Sequence, residues 1–115
     1  MDVPHRINAV LIERNASTVP APRAVSIDDE SLRTMQAIGW IDEILKDVAL
    51  DYGAHYFTPK GVCFAKVEPA SREYGYPRRS AFLQPELEAT LLEGVKRFSN
   101  IRLMFEHTLE EIAED

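Results

Sequence analysis

The 115 residues contain one cysteine, Cys63, so the chain cannot form an internal disulfide and has no cysteine-rich metal site. Glycine is scarce as well. Gly39, Gly53, Gly61, Gly75 and Gly94 are the only five, and no placement of them forms a Gly-x-Gly-x-x-Gly turn. Long apolar runs are missing. Near the start the longest covers residues 9–12, far too short for a signal-peptide core or a membrane span, so a cytoplasmic location is expected and a membrane partner is not. A basic surplus is missing too. Thirteen Lys and Arg stand against nineteen Asp and Glu, for a net charge of -6, which argues against non-specific nucleic-acid binding.

What is present suits a soluble α/β domain or a piece of one. Hydrophobic residues make up 45% of the chain, enough for a core. Residues 8–13, Asn-Ala-Val-Leu-Ile-Glu, form a short apolar run that ends in an acid, the pattern of a buried parallel strand. A helix is predicted over 27–38, with Leu32, Met35 and Ile38 on one face, Ser26 or Asp28 as its cap and Gly39 as its stop. A short helix follows over 41–47. Residues 55–57 and 62–64 read as strands around a Pro59-Lys60-Gly61 turn, and 69–83 as a loop or irregular strand. The clearest helix is 85–98, with Pro85 in its first turn and Leu87, Leu91, Leu92, Val95 and Phe98 as one stripe. A last strand is predicted over 101–105. The simplest architecture places strands 8–13 and 101–105 in one parallel sheet, with helix 85–98 crossing between them. In this division 8–52 holds strand, loop and helices, 53–83 is an inserted β segment, and 84–112 holds helix and strand.

Three stretches carry a resemblance: Pro22-Arg23-Ala24 with the run Asp28 to Gln36; Tyr56-Phe57-Thr58-Pro59-Lys60-Gly61; and the run from Gly75 to Pro85. In this order and spacing the chain resembles the single-component FAD-dependent aromatic hydroxylases over nearly its whole length, residues 8–112. The resemblance implies part of a Rossmann-like FAD-binding domain, holding its second and third parallel strands and crossover helix. It places Glu13 at the adenosine ribose, where a carboxylate accepts from hydroxyls, and Arg14 beside the adenine. It places Arg23 along the flavin and its pyrophosphate, where a guanidinium forks to phosphate oxygens. Gln84, at a helix start, would contact the ribityl and phosphate part of FAD with an amide that both donates and accepts. The implied reaction is hydroxylation of a phenolic acid such as 3-(3-hydroxyphenyl)propionate, with NAD(P)H as reductant and a flavin C4a-hydroperoxide as the oxygen donor. No catalytic residue is assigned within the chain.

The departures are as informative. A dinucleotide-binding turn stands about 20 residues before its ribose acid, but only twelve residues precede Glu13, and none is glycine. The first strand with its glycine loop and the later Gly-Asp flavin motif are therefore expected to be missing, and the chain alone is expected to be inactive. Alternatives are a complementing piece of a split flavoprotein, or an inactive gene remnant prone to self-association through an unpaired strand. Ser80 stands where the family often has asparagine.

Other polar groups have plainer readings. Asp28, Asp29 and Glu30 complement the start of a helix dipole rather than form a catalytic or cation site. Arg72, Arg78 and Arg79 read as solvated rather than as an anion site. His5, His55 and His107 are far apart, and His107 with Glu110 and Glu111 does not match a zinc helix, so no metal is expected. Cys63 and Trp40 read as core residues.

Overall fold

The computed structural model describes residues 7–114; His5 lies outside this range. In chain order the elements are β1 (Ala9–Glu13), β2 (Ser26–Asp28), α1 (Asp29–Ala37), α2 (Ile41–Ile44), a 3-10 turn (Leu45–Asp47), β3 (Val48–Ala49), β4 (Ala54–Phe57), β5 (Cys63–Val67), β6 (Arg79–Phe82), α3 (Gln84–Val95) and β7 (Ile101–Phe105). The expected parallel pair is present. β1 and β7 run side by side from Ala9↔Ile101 to Glu13↔Phe105, and α3 leads into β7. Parallel neighbours cannot be joined by a hairpin; here the rest of the fold serves as the crossover.

The middle is more ordered than its sequence suggests. β6 lies within the stretch read as a loop or irregular strand, and it pairs antiparallel with both β2 and β3 in the order β2-β6-β3. β4 and β5 form a hairpin closed by the bond from Thr58 N to Val62 O at 2.8 Å, with Gly61 at φ 80. That positive φ suits glycine. Cys63, read as a core residue, is only half-buried.

The helices start and stop for local reasons. The Asp28 side chain accepts from Ser31 N at 2.8 Å and caps α1. Trp40 N bonds Met35 O and Gly39 N bonds Gln36 O, a Schellman ending with Gly39 at φ 74. The predicted helix over 41–47 is one short α segment followed by the 3-10 turn. α3 starts at Gln84, puts Pro85 in its first turn and ends at Val95, three residues before the expected limit. Its Gly94 lies against Trp40: a Cβ there would stand 2.7 Å from the indole Nε1. Trp40 Nε1 donates to Thr90 O at 2.9 Å, and the Arg97 guanidinium lies 4.1 Å over the ring. Trp40 thus pins the turn before α2 to α3.

Asp28 also makes the fold sensitive to acid. Hydrogen bonds from the Ser31 side chain and then its amide hold the Asp28 carboxyl below the ordinary 3.8. A depressed folded-state value means the contribution is present above the unfolded value and is lost as pH falls through the folded one. Asp28→Ala is expected to cost about 1 kcal/mol at pH 7, the usual size of an N-cap. Urea midpoints at pH 7 and pH 3 check this, because the gap between wild type and variant should narrow at the lower pH.

Packing is concentrated in one small cluster. Among the described residues Ile27, Leu32, Ile44 and Leu87 form the buried apolar cluster, with Met35, Trp40, Ile41, Leu45, Val48, Tyr76, Phe82 and Leu91 packed around them. Ser80 is fully buried beside them, and its hydroxyl has no partner among the described residues. The chain exposes 9060 Å², whereas a compact monomer of this length exposes about 6300 Å². Its radius of gyration is 18.2 Å, against about 13 Å for a compact chain. Much of the excess is apolar: Val10, Leu11 and Ile12 of β1 are all exposed.

Candidate functional site

The C-terminal end of β1, the loop over 14–25 and one face of α3 enclose a cleft of about 390 Å³. Open α/β sheets bind ligands at the carboxyl ends of their strands, and this cleft sits at such an end. Its polar wall holds Glu13, Asn15, Arg23 and Glu88, and its apolar wall includes Leu91 and Phe105. Glu13 and Arg23, ten residues apart in sequence, therefore face one cavity. A carboxylate and a guanidinium on one apolar-backed wall suit a ligand that has both hydroxyls and an anionic group.

Glu13 is oriented by its neighbour. Its Oε1 accepts from Asn15 N and Asn15 Nδ2, each at 2.7 Å, while Oε2 accepts no bond among the described residues. The end of β1 is also tied to the turn after β7, through His107 N to Glu13 O at 3.1 Å and Glu106 N to Asn15 O at 3.0 Å. Arg14 is exposed and does not line this cleft; it lines a second cavity with Val10 and His107, which Glu13 and Asn15 also border. The structure thus joins Glu13 with Arg23 but sets Arg14 apart from Arg23.

Gln84 lines neither cavity and acts on the loop. Its Oε1 accepts from Arg23 N at 3.0 Å and from Ala24 N at 2.9 Å. Its Nε2 donates to Glu88 Oε1 at 2.7 Å, and Glu88 Oε2 accepts from Val19 N at 3.1 Å. Both acceptor positions of the amide are thereby used within the chain, which leaves one amide N–H for a ligand. The expectation that Gln84 offers a ligand both donor and acceptor narrows to the donor. Glu88 and Asn15 escaped the sequence reading. For Glu88 a usable signal was its position four residues after Gln84 on a helix, a spacing that makes side chains neighbours.

Among the described residues the remaining polar groups form no second site. A larger cavity of about 650 Å³ is lined by Arg78 and Arg79, but also by Asp28 and Glu68, and this mixed charge offers an anion no net attraction. Arg79 donates to Ser26 Oγ, and Arg72 pairs with Asp51 at 2.6 Å. Asp29 is buried at the start of α1, where one carboxylate oxygen accepts from Glu30 N. His55 lies 3.3 Å from Glu68, and both are exposed. Among the described residues no three His, Cys, Asp or Glu side chains cluster as metal ligands, and no helix is long and apolar enough to cross a membrane.

The family model for an FAD binding domain matches residues 5–115. The chain is 43% identical over 108 residues to the 3-(3-hydroxy-phenyl)propionate/3-hydroxycinnamic acid hydroxylase of Escherichia coli K12, a match that covers 94% of this chain and 20% of that protein. The same enzyme from Escherichia coli strain SMS-3-5 is 42% identical with the same coverage. The chain therefore spans about a fifth of the length of the curated relatives it matches. Among solved structures, p-nitrophenol 4-monooxygenase PnpA from Pseudomonas putida DLL-E4 superposes with a TM-score of 0.83 at 23% identity, covering 95% of this chain and 28% of that one. The flavin-dependent monooxygenase PieE, solved with FAD and substrate, gives 0.77 at 18% identity, covering 96% and 21%. At such identities these two structures attest a shared fold.

Proposed function

The chain belongs to the FAD binding domain family, and on that premise we propose that it forms part of an FAD-dependent aromatic monooxygenase that hydroxylates a phenolic acid such as 3-(3-hydroxyphenyl)propionate. The observation that carries the reading is the cleft, where Glu13 and Arg23 share one wall at the end of a parallel strand. The 43% identity to a hydroxylase of that substrate class supports the choice of phenolic acid.

The chain's own residues divide the task of holding FAD. Glu13, with Oε1 fixed by Asn15, offers Oε2 to the ribose hydroxyls. Arg23 forks its guanidinium to the pyrophosphate. Arg14, outside the cleft, lies by the adenine. Gln84 adds its one free amide N–H at the start of α3, where the helix end favours anionic oxygens. FAD itself supplies the redox chemistry, with NAD(P)H as the electron source.

These residues are too few to retain the cofactor. The five glycines form no phosphate-gripping turn, and backbone N–H groups in such a turn are the usual cradle of a pyrophosphate. The purified 115-residue chain mixed with FAD is therefore expected to stay colourless after desalting and to yield no catechol from NADH and phenolic acid. Co-expression with a segment that supplies a strand and a Gly-x-Gly-x-x-Gly turn is expected to give yellow protein. In that complex Arg23→Ala should weaken FAD binding by about 10- to 100-fold, the usual worth of a charge-assisted pair. Yellow protein at one flavin per chain without the added segment would count against the need for the turn. Unchanged affinity in Arg23→Ala would remove Arg23 from the site.

A further inference from the structure

The loop over 14–25 carries Arg23 yet has few fastenings of its own. Pro20 and Pro22 have no amide hydrogen to donate. Among the described residues, the amides of residues 16–24 that find an acceptor are Val19, Arg23 and Ala24, and all three go to Gln84 and Glu88 on α3. Those two side chains are joined by the 2.7 Å bond from Gln84 Nε2 to Glu88 Oε1.

We infer that Glu88 is a positioning residue for Arg23: it fixes the orientation of the Gln84 amide, and the two together set the loop against α3. The polarity of the relay carries the inference. Arg23 N and Ala24 N are donors, so Gln84 must turn its oxygen to them and its nitrogen to residue 88. Val19 N is also a donor, so residue 88 must accept on both sides. A carboxylate has two accepting oxygens and no donor, whereas a glutamine amide always presents one donor. Glu88 meets a requirement that its closest isostere fails.

The inference rests on the flavin reading for its purpose, but its test does not depend on flavin. In Glu88→Gln a donor meets a donor, either at Gln84 Nε2 or at Val19 N. In Gln84→Glu two carboxylates face each other. The double variant Gln84→Glu/Glu88→Gln restores every bond with the roles exchanged: Glu accepts from Arg23 N, Ala24 N and the new amide, and that amide accepts from Val19 N. Hydrogen exchange read by mass spectrometry in peptides covering 16–25 follows the loop directly. Each single variant is expected to speed exchange there by about tenfold, the worth of one lost hydrogen bond. The double variant is expected to return to the wild-type rate, while peptides covering β1 and β7 stay unchanged throughout. Additive single effects, or no change in Glu88→Gln, would overturn the inference. FAD titration of the co-expressed complex supplies the second reading. If exchange recovers in the double variant but no variant alters FAD affinity, the relay stands and the flavin role of Arg23 fails.

Discussion

Leu32→Ala is expected to lower stability by about 3 kcal/mol, within the range of about 2–5 kcal/mol for emptying a fully buried leucine site. Leu32 is fully buried on α1, in a cluster with Ile27, Ile44 and Leu87. This cluster joins elements of different origin: Ile27 comes from β2, Ile44 from α2 and Leu87 from α3. Small domains have about 5–15 kcal/mol in all, so the loss takes a large share. A shift of more than 10 °C in the melting midpoint follows from the usual scaling of about 4–8 °C per kcal/mol. Leu11→Ala, on exposed β1, is the matched control and should move the midpoint by no more than a few degrees. Equal shifts in the two variants would show that the cluster is not where the stability lies.

The second large effect concerns association. Val10 and Ile12 of β1 are both exposed, and Val10 lies outside the cleft formed with α3. Within the described residues β1 pairs only with β7, so its far edge presents free backbone donors and acceptors. An apolar strand with a free edge is a template for another strand. The surface excess over a compact monomer, about 2700 Å² by the usual scaling, matches what large permanent interfaces cover. Sedimentation velocity on the 115-residue chain is expected to show oligomers. Val10→Lys/Ile12→Lys should move the population to monomer, because edge lysines oppose strand addition. A monodisperse wild-type monomer with a sharp melt would argue for an independent small domain.

The parts of the fold that were legible in the sequence are those with local patterns. β1 is an apolar run that ends in Glu13, β7 is apolar apart from Arg102, and α1 and α3 carry helical stripes bounded by Asp28, Gly39 and Pro85. β2 and β3 were not legible, since they span three and two residues and exist only because β6 pairs with both. Such pairings join residues more than thirty positions apart, and no local period reports them. β6 itself follows Pro77 and opens on Arg79, so its stretch reads as a loop or an irregular strand with no clear bounds. At the site, the step from Glu13 to Arg23 needed family resemblance, because only the fold brings the loop back over β1. Glu88 was missed because a glutamate on a helix looks like any solvated charge until the loop above it is seen.

Trp40 is the sole tryptophan, and its indole is held between Gly94, the Thr90 carbonyl and the Arg97 guanidinium. The molecule therefore contains its own optical probe at the junction of α2 and α3. Indole emission reports whether that junction is closed, with no label and no engineered fluorophore. In a flavin-loaded complex, energy transfer from this one donor would give the distance from the junction to the isoalloxazine ring.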